Sequence, residues 1–137
     1  MEDKIISFFK NDRFASMAGI KLIKVLPGYA VATMTISDNH LNAADVVQGG
    51  AIFTLADLAF AAASNSHGQL ALALNCTITF IKAAKGKVLT AEAKEVALNN
   101  RTSHYEISVT DDNEELIAKL LCTAYRKSQT IDFDREA

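Results

Sequence analysis

Asp57 is the only carboxylate in residues 48–68, a segment in which nearly every residue from 51 to 63 is apolar and alanine dominates. An unpaired carboxylate in apolar surroundings costs several kcal/mol, so Asp57 must face either partner groups or a wet cleft. Acids in such environments mark functional sites in many proteins. The structural alternative is a buried acid that is satisfied by a lysine or a hydroxyl group.

The segment that carries Asp57 is predicted to form one long buried helix. Its alanine-rich sequence has high helix propensity, and it is apolar on almost every side. It is too short and too interrupted to span a membrane. Gly49 and Gly50 mark its start, and turn and C-cap residues at 65–68 mark its end. At helical spacing, small and polar residues form one stripe, which consists of Gly50, Thr54, Asp57, Ala61 and Ser64.

The composition is typical of one globular domain. The chain has 137 residues, of which 50% are hydrophobic and 22% are charged, and its formal net charge is -2. No basic stretch stands out, so neither nucleic acid nor a membrane is an expected partner. Cys76 and Cys122 lie in strand-like runs and are expected to be buried thiols, and the N-terminus has no signal-peptide core. These features predict a cytoplasmic protein.

Periodicity in the rest of the chain predicts one further helix and six strands. Residues 2–17 have apolar positions at helical spacing and predict a short amphipathic helix at one end of the core. Residues 19–37 alternate on both sides of a Leu-Pro-Gly turn, which is typical of a β-hairpin. After the long helix, alternation and turn residues predict four more strands, over residues 71–81, 87–97, 103–110 and 115–126.

Six antiparallel strands can bury one apolar helix only if the sheet curls around it. The expected architecture is therefore α+β with a hot-dog fold, in which a six-stranded antiparallel sheet wraps a long central helix. Residues 1–127 are expected to form this single domain, and residues 128–137 a polar tail. Free sheet edges and the uncovered stripe predict pairing with a second copy, as a homodimer or a homotetramer of two dimers.

The loop and the helix together resemble a known family. Residues 40–68, HLNAADVVQGGAIFTLADLAFAAASNSHG, are similar to the PaaI-like branch of hot-dog acyl-CoA thioesterases, the phenylacetate-pathway type. The matching features are an Asn in the loop, a Gly-Gly helix start, the Phe-Thr-Leu-Ala-Asp sequence and an Asn-Ser pair near the helix end. The resemblance covers most of the chain, because the order of strands after the helix agrees too.

This resemblance implies roles for individual residues. Asp57 would be the nucleophile or general base, the backbone N–H of Gly49 would polarise the thioester carbonyl, and Asn42 would help to bind that carbonyl or to order water. Gln48 stands where this branch usually has His; glutamine can donate a hydrogen bond but cannot shuttle a proton. The other polar or small positions of the stripe are expected to contact the substrate: Gly50, Thr54 and Ser64.

Gly49 and Asp57 cannot act on the same thioester from one chain. They lie eight residues apart on one helix, roughly 12 Å at 1.5 Å per residue. A thioester carbon must meet a nucleophile and an oxyanion donor at about 3 Å each. Two antiparallel helices across a twofold axis satisfy this requirement, which predicts a composite site between two subunits.

Three functions are compatible with these residues. The leading hypothesis is hydrolysis of a small acyl- or aryl-CoA thioester without a metal or other cofactor, since no ligand set has a useful spacing. A second is non-catalytic binding of acyl-CoA; regulators of that kind carry a DNA-binding module, for which the N-terminal segment is too short. A third is a hydratase, which needs an Asp/His pair in the loop. His40 is the nearby histidine, but a lone loop histidine is expected at the surface.

Overall fold

The computed structural model describes residues 1–134. Two short helices, α1 (Glu2–Phe9) and α2 (Arg13–Met17), precede the sheet. The single helix predicted over residues 2–17 is therefore wrong. The first helix ends at Phe9 with Lys10 as its C-cap, and the extended Asp12 begins the second, since its side chain accepts a hydrogen bond of 3.0 Å from the N–H of Ala15.

Six antiparallel strands form one open sheet, as predicted. They are β1 (Ile20–Leu26), β2 (Tyr29–Thr35), β3 (Gln69–Phe80), β4 (Val88–Leu98), β5 (Thr102–Thr110) and β6 (Leu116–Thr130). Their order in the sheet is β1-β2-β4-β5-β6-β3, so β1 and β3 are the two edges. Strand β6 continues to Thr130, which pairs with Gln69, so three residues of the predicted tail extend the sheet. Residues 135–137 of that tail lie outside the described residues.

The long helix α3 (Gly49–Asn65) lies on the concave face of the sheet and contacts all six strands. Small side chains allow this close approach: Ala56, Ala59 and Ala63 of the helix are fully buried against the sheet. The inner face of the sheet carries small and aliphatic side chains, which include Ala30, Ala32, Met34, Leu89, Ala91, Ala93, Ile107, Val109, Leu120 and Ala124. The predicted hot-dog fold is thus confirmed. No helix within residues 1–134 is both long and apolar enough to cross a membrane.

The two cysteines lie directly opposite each other on neighbouring strands. Cys76 of β3 pairs with Cys122 of β6, and both thiols are free. Cys122 is buried as predicted, whereas Cys76 is half-buried because β3 is an edge strand. Burial raises the pKa of both thiols, which keeps them protonated and unreactive at neutral pH.

Asn65 fastens the end of α3 to the start of β3. Its side chain is 5% exposed, accepts a hydrogen bond of 2.8 Å from the N–H of Ala71 and donates one of 3.2 Å to the carbonyl of the same residue. A further bond of 2.8 Å runs to the carbonyl of Ala61. Gly68, which lies between Asn65 and Ala71, has a φ of +89°. This conformation favours glycine and turns the chain into β3.

Replacing Asn65 by alanine should destabilise the fold, because it leaves the buried N–H and C=O of Ala71 without partners. We expect a loss of about 2–3 kcal/mol in the free energy of unfolding. The exposed Asn100 provides the control, since Asn100→Ala should cost less than about 0.5 kcal/mol. Urea denaturation at one fixed protein concentration measures both variants. Equal losses would contradict the role assigned to Asn65.

Candidate active site

Helix α3 packs against the sheet and also contacts α1 and α2, but one face of it stays partly accessible. Gly50 is exposed there, and Thr54, Asp57 and Ala61 are half-buried, so the predicted stripe coincides with the uncovered face of the helix. Ser64 does not share this face. It is 3% exposed, and its hydroxyl donates a hydrogen bond of 3.2 Å to the carbonyl of Ala61. The last turn of α3 is buried throughout, so the open face ends at Ala61 and the placement predicted for Ser64 is wrong.

The carboxylate of Asp57 is half-buried and unpaired. It takes part in no hydrogen bond or ion pair formed among residues 1–134. Burial raises the pKa of Asp57, and the negative charge of Asp12 raises this pKa further. The charged group that affects the pKa of Asp57 is therefore another acid. This argues against a carboxylate that is held in place by a lysine or a hydroxyl group.

The start of α3 offers free hydrogen-bond donors. Gln48 is the N-cap residue, and its carbonyl accepts from the N–H groups of Ala51 and Ile52 at 2.9 and 3.3 Å. The N–H groups of Gly49 and Gly50 have no acceptor within residues 1–134. Unpaired N–H groups and the partial positive charge of a helix N-terminus together favour a developing oxyanion.

Both glycines at the start of α3 are closely approached by other side chains. A Cβ at Gly49 would lie 3.1 Å from Cζ of Phe80, and a Cβ at Gly50 would lie 2.5 Å from Oε1 of Gln48. The Gln48 side chain is thus folded over Gly50, and the Phe80 ring rests on Gly49. Thr54, one turn further along, donates a hydrogen bond of 2.7 Å to the carbonyl of Gly50. Side chains larger than glycine would displace these neighbours.

Two cavities flank the start of α3. A cleft of about 900 Å³ lies between α2, the loop before α3 and α3 itself, where Gln48, Gly50 and Thr54 line it. A smaller cavity of about 390 Å³ lies on the other side and is lined by Gly49, Phe80 and Lys82 among others. Asp57 lines neither cavity. One chain therefore brings Gln48, Gly50 and Thr54 into one cleft, whereas Asp57, on the same face of α3 as Thr54, lies outside that cleft.

Asn42 shapes the loop before α3. Its Oδ1 accepts hydrogen bonds from the N–H groups of Ala44 and Val46, at 2.8 and 3.3 Å. Its side-chain NH₂ has no acceptor among residues 1–134 and lies at the exposed surface. Asn42 is not among the residues that line the 900 Å³ cleft. Within one chain, the structure does not bring Asn42 and Gln48 into one cavity.

His40 is a buried structural residue, so the expected surface position is wrong. It is 8% exposed, and the N–H of Ser37 donates to its Nδ1 at 3.0 Å. Its Nε2 donates to the carbonyl of Ala18 at 2.6 Å, so both ring nitrogens are occupied. Ser37 and His40 have the spacing of a capping box, which is the sequence signal that could have indicated a structural role for His40. No group of three or more His, Cys, Asp or Glu side chains within residues 1–134 is placed to hold a metal ion.

Sequence reasoning missed the contribution of α2. Phe14 and Met17 line the 900 Å³ cleft opposite Phe53 of α3, although they are 63% and 77% exposed. The sequence does contain a signal for this contribution. Phe14 and Met17 are large apolar residues at i and i+3, and a helix this short has little room to bury both.

Comparison with known proteins identifies the family to which this chain belongs. Residues 44–118 match the thioesterase superfamily, and the chain belongs to that family. Acyl-coenzyme A thioesterase PaaI of Escherichia coli is 36% identical over 126 residues, which cover 91% of this chain and 90% of that protein. The structure of E. coli PaaI, from the phenylacetic acid degradation operon, matches with a TM-score of 0.89 and 33% identity over 96% of this chain and 99% of that one. The predicted PaaI-like hot-dog thioester hydrolase is thus confirmed.

Two other proteins extend the comparison. An Archaeoglobus fulgidus protein named "Putative esterase" is 48% identical over 122 residues, which cover 88% of this chain and 79% of that protein. A Streptococcus mutans protein whose structure was solved bound to acetyl CoA matches with a TM-score of 0.77 and 25% identity, over 82% of this chain and 91% of that one.

Replacing Asp12 by asparagine should lower the pKa of Asp57. Asparagine keeps the helix cap but removes the negative charge, while burial, the larger cause, still holds the pKa above the ordinary aspartate value. NMR titration of ¹³C-labelled carboxyl groups measures the shift. Asp45→Asn, a change of the same charge in the exposed loop, should leave the titration of Asp57 unchanged. The same shift in both variants would contradict a local effect of Asp12.

Proposed function

We propose that this protein hydrolyses small acyl- or aryl-CoA thioesters to a free acid and CoA, at a site formed by two copies of the chain. The observation that carries the proposal is the open face of α3, with an unpaired carboxylate at Asp57 and free N–H groups at the helix start. A carboxylate and an oxyanion donor are the groups that thioester hydrolysis needs. The names of relatives support the substrate class, since one is an acyl-CoA thioesterase and another binds acetyl CoA.

In the proposed reaction, the N–H of Gly49 donates to the thioester carbonyl and stabilises negative charge on its oxygen. Asp57 then acts in one of two ways. As nucleophile, its carboxylate attacks the carbonyl carbon, the C–S bond breaks, and CoA leaves as a thiolate. Water then hydrolyses the mixed anhydride, and a proton from this water converts the thiolate to the thiol. As general base, it takes a proton from a water molecule whose oxygen attacks the same carbon. Both routes need the ionised carboxylate, and both end with the acid and the CoA thiol.

Gln48 and Asn42 are proposed to act at the carbonyl end of the substrate. The Gln48 side chain lies beside the free N–H groups of the helix start, where its NH₂ group can add a hydrogen bond to the substrate carbonyl. The NH₂ group of Asn42 is free to hold water or substrate. Gly50 and Thr54 line the cleft at the same end and are proposed to contact the substrate.

The edge strand β3 supports association of two copies. Its 12 residues include no charged side chain, and Leu72 and Leu74 are exposed on it. The other edge, β1, carries Lys21 and Lys24 and is packed against α1 and α2. Charged and covered edges resist pairing, whereas a long uncharged edge favours it. We therefore assign β3 as the strand at which a second copy adds to the sheet.

Antiparallel pairing of two β3 strands sets the two α3 helices side by side in opposite directions. The start of one helix then approaches the middle of the other, which brings Gly49 of one copy toward Asp57 of its partner. This arrangement removes the separation of roughly 12 Å that one helix imposes on the two residues. Exposed Leu121 and Tyr125 on the outer face of β6 support a homotetramer of two such dimers. The free thiols of Cys76 and Cys122 support a cytoplasmic location.

Non-catalytic binding of acyl-CoA is the second candidate. A binding protein has no need of an unpaired carboxylate on an apolar helix face, because that charge lowers stability without contributing to affinity. The state of Asp57 therefore favours hydrolysis over binding alone.

Replacing Asp57 by asparagine distinguishes these two functions. Asparagine has the same shape but no charge, so hydrolysis should fall by at least ~10²-fold while acyl-CoA still binds. Stability at neutral pH should not fall. Because the folded-state pKa of Asp57 is raised, its charge opposes folding above that pKa, and this effect fades as the pH drops toward the unfolded value. Thiol release, acyl-CoA affinity and melting temperature are measured on one preparation. Hydrolysis at the wild-type rate would contradict the catalytic role of Asp57.

A mixture of two inactive variants tests the division of the site between copies. In a heterodimer of Asp57→Asn with Gly49→Val, one site keeps both native groups and the other carries both substitutions. Random exchange makes about half of the dimers mixed, so the mixture should regain about a quarter of the wild-type activity per site. Each variant alone, mixed with itself, is the control. If both groups belonged to one chain, mixing would restore nothing.

A further inference from the structure

Helix α2 lies along the open face of α3. The two helices are in direct contact, and Phe14 of α2 lines the 900 Å³ cleft with Phe53 of α3. At the end of α2, Met17 and the following Ala18 line the same cleft together with Gly50. Helix α2 therefore forms a wall of this cleft beside the first turns of α3.

This wall is fixed at both ends. Asp12 caps the helix through the N–H of Ala15, which is 2% exposed and anchors α2 in the core. The carbonyl of Ala18 accepts the hydrogen bond from the buried ring of His40. A wall held in this way is already in position before a ligand arrives, so little ordering entropy is lost on binding.

The side of α2 that faces the cleft is apolar. Phe14 and Met17 are 63% and 77% exposed, although burial of such large apolar side chains is favourable. Phe53 of α3 lies across the cleft from them. A ring edge and a thioether are both polarisable surfaces that suit a bulky apolar group, and an aromatic ring in particular.

The residues that line this cleft include no Lys, Arg, Asp or Glu. A cleft without charged side chains cannot compensate the phosphates of CoA or a second carboxylate on the acyl group, since buried charge needs a partner. The helix start, in contrast, offers hydrogen-bond donors at Gln48 and Gly50. The cleft therefore has one polar side and one apolar side. This arrangement matches an uncharged acyl group, because its thioester carbonyl is polar and the rest of the group is apolar.

We propose that the acyl group of the substrate binds in this cleft and that Phe14 and Met17 determine acyl selectivity. They favour bulky uncharged acyl groups over acetyl, and they reject acyl groups that carry a second carboxylate. The inference rests on the proposed thioester hydrolysis and adds the element that selects the substrate. A volume of about 900 Å³ is ample for such a group, because small-molecule sites range from about 300 to 1,000 Å³.

Truncation of Phe14 tests the preference for bulk. In Phe14→Ala, kcat/KM for benzoyl-CoA and hexanoyl-CoA should fall about tenfold further than kcat/KM for acetyl-CoA, as expected for a lost wall of an apolar pocket. Phe14→Leu should recover most of the difference. Val96→Ala removes an equally exposed apolar side chain on β4 and should leave the ratio at its wild-type value. An equal fall for all three substrates would overturn the proposal, as would no change.

A charge placed in the cleft tests the rejection of a second carboxylate. Met17→Lys should raise kcat/KM for succinyl-CoA relative to benzoyl-CoA about tenfold, because the ammonium group pairs with the extra carboxylate. Val96→Lys supplies the same charge on β4 and should not change this ratio. An equal change in both lysine variants would mean that net charge, and not the cleft, selects the substrate.

Binding measurements separate this inference from the proposed reaction. In the Asp57→Asn background, Phe14→Ala should weaken binding of benzoyl-CoA about tenfold and leave binding of CoA alone unchanged. If wild-type protein hydrolyses none of the thioesters but this difference in binding is found, the proposed reaction fails and the acyl cleft stands. If hydrolysis is found without the difference in binding, the acyl cleft fails and the reaction stands.

Discussion

Close packing of an alanine-rich helix against a curled sheet is the constraint on which the rest of this structure depends. Helix α3 touches all six strands, and its fully buried alanines meet alanines of β2 and β4 on the inner face of the sheet. Interiors are packed at the density of organic crystals, so a methyl group added at such a contact would push helix and sheet apart. The alanine content of α3 therefore follows from packing.

The same packing decides which part of the helix remains available for chemistry. The six-stranded sheet does not close around α3, and one face of the helix stays partly accessible. Asp57 lies on that face because helical spacing repeats there every three or four residues. Its carboxylate is close enough to apolar atoms for burial to raise its pKa, yet it keeps access to the outside. The helix is thus both the centre of the core and the floor of the site.

Local sequence patterns were sufficient to predict the sheet, the central helix and the open stripe. Alternation along β2 and β6 and the helical spacing of Asp57 and Thr54 are properties of neighbouring residues, so they can be found without knowledge of the fold. The resemblance of residues 40–68 to a family supplied the roles of Gly49 and Asn42, which periodicity alone does not contain.

Features that depend on distant partners could not be predicted in this way. The last residues of β6 are polar and show no alternation, but pairing with β3 makes them a strand. His40 is buried because Ala18, 22 residues away, supplies an acceptor for its ring. Ser64 follows the spacing of the stripe, but the closing sheet buries the turn in which it lies. The position of α2 beside the cleft is likewise a matter of tertiary packing.

The contact between Phe80 and Gly49 has a consequence for how this chain can diverge. Phe80 is the last residue of the edge strand β3, and its ring atom Cζ lies only 3.1 Å from the position that a Cβ at residue 49 would take. A residue larger than glycine at 49 is compatible with the fold only if the half-exposed Phe80 ring shifts aside or position 80 becomes smaller. Positions 49 and 80 are therefore expected to covary among descendants of this sequence, so that a substitution at the sheet edge accompanies one at the start of the helix.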